Sequence, residues 1–349
     1  MSSEENPPDA PEPGAAPLPT QRTTRRAVAT GRLDAAVRVA FGCSGAAARR
    51  AVHSGKIKLN GQREVDPAHP VKAGAELCFE PNAPRPLRTE PLGVKLVYRD
   101  DFIIVLDKPA GLLSAPFQDE PGPTALDAAL LLCRGVRVAK VVHRLDKLTS
   151  GLLVFARSSA AARAMREAID AHEAKRTYHC VVAGVPLRPA ATIVSDLVTD
   201  RGDGYRGSAG GRRQLLPVDA VVPLTQGAVE LSEDDDEPHA GRARHEGKQA
   251  VTRYRTVASA EGRTALEVRI ETGRTHQIRI HLAEIGHPVL GEQVYARNGD
   301  APRQALHAAR LAFPHPHTGQ PVHFFSPWPQ DLARLRPLGP DWRSASEQR

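Results

Sequence analysis

Two short clusters in this 349-residue chain carry the residue types of a reactive site. The first is His143-Arg144-Leu145-Asp146, followed by Lys147-Leu148-Thr149-Ser150-Gly151 and an apolar run, Leu152 to Phe155. An aspartate in a loop just before a buried strand can be held rigidly at a sheet edge. Arg144 lies two residues earlier, so in an extended segment both side chains point the same way. A carboxylate so placed can act as nucleophile or base. The same aspartate can instead cap the Thr149-Ser150 turn, and spacing alone leaves both readings open.

The second cluster is Gly273-Arg274-Thr275-His276-Gln277-Ile278-Arg279-Ile280-His281. It follows a strand pattern and opens a helix that ends near Gly286, with Thr275 positioned as N-cap. Ile278, Leu282 and Ile285 form its buried stripe, while His276, Arg279 and Ala283 share another face. A helix start loaded with Arg and His suits phosphate or carboxylate. A surface helix salt-bridged to Glu271 and Glu284 fits the same letters. His143, His276 and His281 also raise acid–base cleavage, and His276, His281 and His307 a metal, but no carboxylate or Cys accompanies the latter three at ligand spacing.

The elements around these clusters predict an α+β chain. Residues 1–30, rich in Pro, Ala, Glu and Thr, are expected to form a disordered tail. Arg22, Arg25 and Arg26 lie at its end. A small unit covers 31–82. Leu33, Val37 and Phe41 mark one helix face, and Ser44 caps a second helix, Gly45 to Ser54, carrying Arg49, Arg50 and His53. Lys56 and Lys58 stand on a strand entering an Asn60-Gly61 hairpin, and Val71 to Phe79 closes the unit. A Pro-rich linker spans 83–92. The larger domain, 93–335, mixes strands and helices without strict βαβ repetition, which predicts a mainly antiparallel sheet. Within it, 200–248 is Gly-rich and then acidic from Glu233 to Glu237, and is expected to be a surface insertion. Residues 336–349 form a C-terminal tail.

Composition narrows the function. The net charge of +7 and pI near 9.4 favour an anionic partner, nucleic acid before membrane, or a protein merely kept soluble by charge. Cys43, Cys78, Cys133 and Cys180 form no C-x-x-C pair, which argues against a zinc ribbon or a disulfide framework and fits a reducing compartment. The acidic, Pro-rich N-terminus is no signal peptide, and the longest apolar stretch, Ala128 to Cys133, is too short for a membrane span. A cytoplasmic monomer is expected. Aromatic residues are only 4%, which disfavours recognition built on stacking platforms.

Taken together, HRLDKLTSG, Lys108-Pro109-Ala110-Gly111 and GRTHQIRIHL resemble the RluA-type RNA pseudouridine synthases. So do Ala305-Leu306-His307-Ala308 and Pro314-His315-Pro316. The similarity runs from about Lys95 to Trp328. The 31–82 unit is similar to an S4 RNA-binding domain, with Arg32-Leu33-Asp34 near its start and SGKIKLNG at the hairpin. The resemblance implies that Asp146 is the catalytic carboxylate and that Arg279 pairs with it. It implies that Arg144 holds the looped-out strand, and that Tyr178 packs on the target base, although the Lys of the family's K-x-Y falls one position early, at Lys175. Lys108 then supports the turn. Arg144, Arg274, His276, Arg49, Arg50, Lys56 and Lys58 become RNA contacts. No cofactor and no metal are implied. The implied function is isomerisation of uridine to pseudouridine in RNA, ribosomal RNA before transfer RNA. A non-catalytic RNA-binding factor on the same scaffold is the competing class.

Overall fold

The computed structural model describes residues 16–83, 92–117, 122–132, 138–224, 247–296 and 301–335. The chain divides into two compact units, 1–89 with 116–122, and 90–115 with 123–349.

The first unit contains β1 (Thr23–Arg26), β2 (Gly31–Arg32), α1 (Leu33–Phe41), α2 (Gly45–His53), β3 (Ile57–Leu59), β4 (Gln62–Arg63), β5 (Pro70–Val71) and β6 (Glu76–Phe79). Its main sheet has the order β1-β6-β3-β4. Leu33 and Val37 of α1, Ala48 and Val52 of α2, and Ile57 and Leu77 are fully buried in one core. Ser44 caps α2 by accepting from the Ala47 N–H at 3.1 Å. The disordered tail expected over 1–30 is corrected here. Residues 23–26 pair with β6 along the whole strand, and Ala27 is buried. Three of the four β1 side chains are exposed, so the strand is held by backbone hydrogen bonds, which composition does not reveal. Residues 1–15 lie outside the described residues.

The second unit runs β7 (Lys95–Arg99), β8 (Ile103–Lys108), α3 (Ala125–Leu132), β9 (Lys140–Val141), β10 (Ser150–Ala156), α4 (Ser159–Asp170), β11 (Lys175–Ala183), β12 (Ala190–Val198), β13 (Gly207–Leu216), β14 (Lys248–Ala260), β15 (Arg263–Ile270), α5 (Gln277–Glu284), β16 (Leu306–Pro314) and β17 (Pro321–Phe325). Among the described residues these strands build one 11-stranded sheet, ordered β13-β12-β14-β15-β11-β16-β10-β8-β7, with β17 on β16 and β9 on β10. Only β10 and β16 pair in parallel; the other strand pairs of the sheet are antiparallel. The α+β architecture with a mainly antiparallel sheet is therefore as expected.

β10 lies between two cores, which is why its sequence is continuously apolar. Leu152 and Val154 face α4 through Ala161, Ala162, Met165 and Ile169. Leu153 and Phe155 face the other core, which includes α3 residues, Tyr178, Tyr254, and Ile278 and Leu282 of α5. Gly151 adjoins Ala308 of β16, and a β-carbon there would sit 2.3 Å from the Ala308 carbonyl oxygen. Its φ of +113° is also unfavourable for any side chain.

Part of the segment 200–248, expected as a surface insertion, is a regular and mostly exposed strand. Residues 207–216 form β13, an edge strand paired with β12. Gly210 and Gly211 take φ of +58° and +67° on the strand opposite the register shift between Ser195 and Leu197. Glycines at a bulge lower strand propensity, so the segment reads as a loop. The acidic run Glu233–Glu237 and the linker residues 84–91 lie outside the described residues. Among the described residues, no helix is long and apolar enough to cross a membrane.

Candidate active site

Asp146 stands on the short loop between β9 and β10, and its neighbours on both sides are pinned. The Ser114 hydroxyl donates to the Leu145 carbonyl at 2.8 Å and accepts from the Leu145 N–H at 2.9 Å. The Gly111 N–H donates to the Lys147 carbonyl at 2.8 Å. Lys108 is fully buried, and its Nζ donates to the carbonyls of Pro109, Leu112 and Lys147 at 3.0, 2.8 and 3.1 Å. Burial pushes this amine down to about 7, against the attraction of Asp146. Three carbonyl acceptors require all three N–H donors of an ammonium, so the geometry is that of the charged form. His143 anchors the other end, where its Nε2 accepts from the Val154 N–H at 3.3 Å.

In the loop, Leu145 points inward and is buried, while Arg144 is exposed and Asp146 partly so. That alternation is the one expected of an extended segment. Thr149 bonds through its N–H to the Asp146 backbone carbonyl, leaving the carboxylate outside the turn.

Arg279 provides the partner. Its Nη1 donates to Asp146 Oδ2 at 3.2 Å. Nε and Nη2 donate to Glu292 at 2.8 and 2.9 Å. Glu292 is fully buried and also accepts the N–H groups of Gln293, Val294 and Tyr295. Arg279 thus bridges two carboxylates, one sequestered and one facing the site. Among the described residues, Asp146 Oδ1 accepts no hydrogen bond. Burial pushes the Asp146 carboxyl up, but the charges of His276, Arg279 and Lys108 and the Arg279 hydrogen bond outweigh it and hold it below the ordinary range. Burial also lowers the His276 imidazole, and Arg279 is the cation that hydrogen-bonds Asp146 directly.

The turn into α5 departs from the expected cap. His276, not Thr275, is the N-cap, with φ of +57° and no capping hydrogen bond from its side chain. The turn is closed from within by Gln277, which accepts from Thr272 Oγ1 and the Arg274 N–H and donates to the Val251 carbonyl and Thr252 Oγ1. The surface-helix reading of α5 is also overturned. Residues 277–282 are all buried, Glu284 binds Ser208, and Glu271 binds Arg253.

His276 instead turns its Nδ1 to the Tyr295 hydroxyl at 2.7 Å. The Tyr295 ring lies 5.3 Å from the Arg279 guanidinium carbon. His281 bonds Ser195 and Thr252, each at 2.9 Å. Burial lowers both His143 and His281 to about 3, so both serve as neutral structural groups. His307 Nδ1 lies 2.9 Å from Ser150 Oγ, which also accepts from Arg303 Nη2 at 3.1 Å. Among the described residues, no group of three or more His, Cys, Asp or Glu is arranged to hold a metal.

Tyr178 on β11 is 6% exposed, and its hydroxyl makes no hydrogen bond among the described residues. Burial pushes it up to about 12, with the charge of Arg176 opposing and that of Asp146 adding to the rise. The basic residue that shares its strand face is Arg176, buried two positions earlier, while Lys175 is exposed. Arg274 is half-buried, with Nε donating to the Gln249 carbonyl at 3.1 Å. In the first unit, Arg50 is exposed and Arg49, Lys56 and Lys58 are half-buried. Lys58 pairs with Glu80 at 2.9 Å.

The family model described as RNA pseudouridylate synthase matches residues 102–284, more than half of the chain. The chain belongs to the RNA pseudouridylate synthase family. The S4 domain model matches residues 31–77 of this synthase. Among similar proteins is the ribosomal large subunit pseudouridine synthase D of Zymomonas mobilis, 33% identical over 77% of this chain and 81% of that protein. The protein of the same name from Xanthomonas campestris is 35% identical over 69% and 68%. That from Xylella fastidiosa is 32% identical over 81% of each.

Sequence reasoning missed Glu292, Tyr295, Ser114 and Arg176 in this synthase. Glu292 and Ser114 reach their partners across 13 and 31 residues, where no local pattern signals them. Arg176 carried a usable signal, since i and i+2 share a strand face.

Proposed function

We propose that Asp146 is the carboxylate through which this RNA pseudouridine synthase isomerises uridine, and that large-subunit ribosomal RNA is its substrate. The observation that carries the reading is a partly exposed carboxylate, fixed on both backbone sides, held ionised by Arg279 at 3.2 Å, with one oxygen free of hydrogen bonds among the described residues. The reaction breaks the N1–C1′ bond, forms a C5–C1′ bond and expels the C5 proton. Attack on C1′, addition to the base and removal of a sugar proton all need the carboxylate ionised. Tyr178 would pack against the uracil while it turns over. The target nucleotide must leave its stack at a cost of a few kcal/mol. Exposed Arg144 would fill the vacated space. Arg274 and His276, and Arg49, Arg50, Lys56 and Lys58 of the first unit, would contact RNA. The ribosomal substrate is supported by the names of the relatives.

Tritium release from RNA labelled at uridine C5 tests the assignment. Wild type is expected to release label and Asp146→Ala to release none while still binding RNA. Equal release by both would refute Asp146, and binding without release by wild type would leave an RNA-binding factor.

A further inference from the structure

Two consecutive buried residues touch both the loop that carries Asp146 and the arginine that pairs with it. Arg303 is 6% exposed and Gln304 3%. Their backbone lies against Gly291, where a β-carbon would meet the Arg303 carbonyl oxygen at 2.2 Å. The Ala305 N–H donates to the Leu290 carbonyl at 2.8 Å, so the segment follows the turn that leads into Glu292.

The two side chains hold different partners. Arg303 Nη1 donates to the Leu148 carbonyl at 3.2 Å and Nη2 to Ser150 Oγ at 3.1 Å. Leu148 and Ser150 are two and four residues beyond Asp146, so Arg303 grips the outgoing side of its loop. Nε and Nη2 also meet the Asp331 carboxylate at 2.6 and 3.1 Å, and Nη1 meets the Gln304 carbonyl at 3.1 Å. Every N–H of this guanidinium therefore has an acceptor. Asp331 lies on the 3-10 turn Gln330–Leu335, and its side chain is the 51% exposed end of this chain of contacts. Fully buried Leu332 seats the turn, and its carbonyl accepts from Trp328 Nε1 at 3.0 Å.

Gln304 turns to Arg279. Its side-chain oxygen accepts from Nη2 at 2.9 Å and from Nε at 3.2 Å, the amide orientation that sets an acceptor against these donors. Nη2 has two N–H groups, and Glu292 and Gln304 are its two acceptors. Asp146 and Arg279 are 133 residues apart and are joined by one hydrogen bond of 3.2 Å. One side of that pair is held by Arg303 and the other by the very next residue, so a single peptide unit links the two grips. A misplacement of about 1 Å in a reacting geometry can cost about 100-fold in rate.

We propose that Arg303 and Gln304 form a positioning element that sets the spacing of Asp146 and Arg279, with Asp331 as its outer anchor. This rests on the pseudouridine synthase reading of Asp146. Neither residue touches the base or the reacting atoms, so both act through the pair they hold.

The test uses the full chain and Gln304→Met, which keeps the bulk and removes the acceptor. Tritium release from an unmodified ribosomal RNA transcript is measured across RNA concentration and pH, at a temperature well below the variant's melting point. Loss of a hydrogen bond to a charged group is expected to lower kcat about tenfold, with KM for RNA within about twofold of wild type. The acid limb of kcat is expected to move to higher pH, because Arg279 is one of the groups that lower the Asp146 carboxyl, while His276 and Lys108, the other charges acting on it, stay in place. Asp331→Ala is expected to show the same split, with kcat down about threefold. The double variant is expected to lose less than the product of the two single losses, because both act on one spacing. A lower melting point with wild-type kcat and an unmoved acid limb would mean a merely structural role and overturn the proposal, and so would single losses that simply multiply. No release by wild type would overturn the reading of Asp146 and this proposal with it. If Gln304→Met fails to fold, Asp331→Ala, on an exposed side chain, decides the matter by the same kcat, KM and pH readouts.

Discussion

Replacing Arg279 by lysine keeps a positive charge and removes the planar fork. The structure gives that fork two tasks. Nε and Nη2 hold Glu292 at 2.8 and 2.9 Å, and Nη1 holds Asp146 at 3.2 Å. One ammonium cannot serve both carboxylates in that geometry. Glu292 is fully buried, so leaving it unpaired costs more than leaving Asp146, which is partly exposed. The lysine therefore stays with Glu292 and Asp146 loses its partner. A hydrogen bond between charged groups contributes about 1.5–3 kcal/mol, so kcat/KM is expected to fall about 10- to 150-fold. The pH profile moves as well. The Asp146 carboxyl is lowered in the native protein, so its ionised form persists to pH values below the ordinary carboxylate range, and its contribution to stability is lost as pH falls through that lowered value. Losing the Arg279 hydrogen bond removes one of the groups that lower the carboxyl, so its pKa rises and the acid limb of kcat/KM shifts to higher pH. Initial rates of C5 tritium release across pH measure both effects, with thermal melting to establish folding. A folded Arg279→Lys variant with wild-type kcat/KM and an unmoved acid limb would refute the role given to the fork.

Three further outcomes follow from the same contacts. Gly151→Ala places a β-carbon against the Ala308 backbone at a φ of +113°, and is expected to cost about 3 kcal/mol in urea unfolding. Lys108→Met removes the donor to three carbonyls in the turn under Asp146, and is expected to cost about 3 kcal/mol or more of stability, read from the same titration. Tyr295→Phe removes the 2.7 Å hydrogen bond to His276 and is expected to lower kcat/KM about fivefold, the equivalent of about 1 kcal/mol, with RNA binding unchanged.

The parts of the fold that were legible in sequence are those written in local periodicity. The apolar run of β10, the alternation of Leu266 and Val268 in β15, and the Ser44 cap of α2 each follow from neighbours a few residues apart. β1 was missed because an edge strand held by backbone bonds needs no apolar side chains, and β13 because its bulge is built from glycine. Within the site, the expected pairing of Asp146 with Arg279 came through motif resemblance, and their 3.2 Å contact spans 133 residues. Glu292 could not be read the same way. Its role depends on a carboxylate meeting three consecutive N–H groups and a distant guanidinium, and nothing in its sequence neighbourhood states that pairing.

Glu292 also accounts for how one arginine meets Asp146 through a single carboxylate oxygen. A guanidinium facing a single carboxylate tends to engage both oxygens, and such a bidentate pair would occupy the lone pairs that chemistry needs. Here Glu292 accepts from Nε and Nη2, the Gln304 side-chain oxygen also accepts from Nη2 at 2.9 Å, and Nη1 is the donor that meets Asp146. Oδ2 is thereby fixed while Oδ1 stays open toward the site among the described residues. The trio of Glu292, Arg279 and Asp146 carries a net negative charge, and Asp146 is its one solvent-exposed member. Lys108 and Ser114 then keep that member still by holding the backbone on either side of it. Orientation comes from the backbone, ionisation from the arginine, and availability of the second oxygen from the buried glutamate that limits what the arginine can grasp.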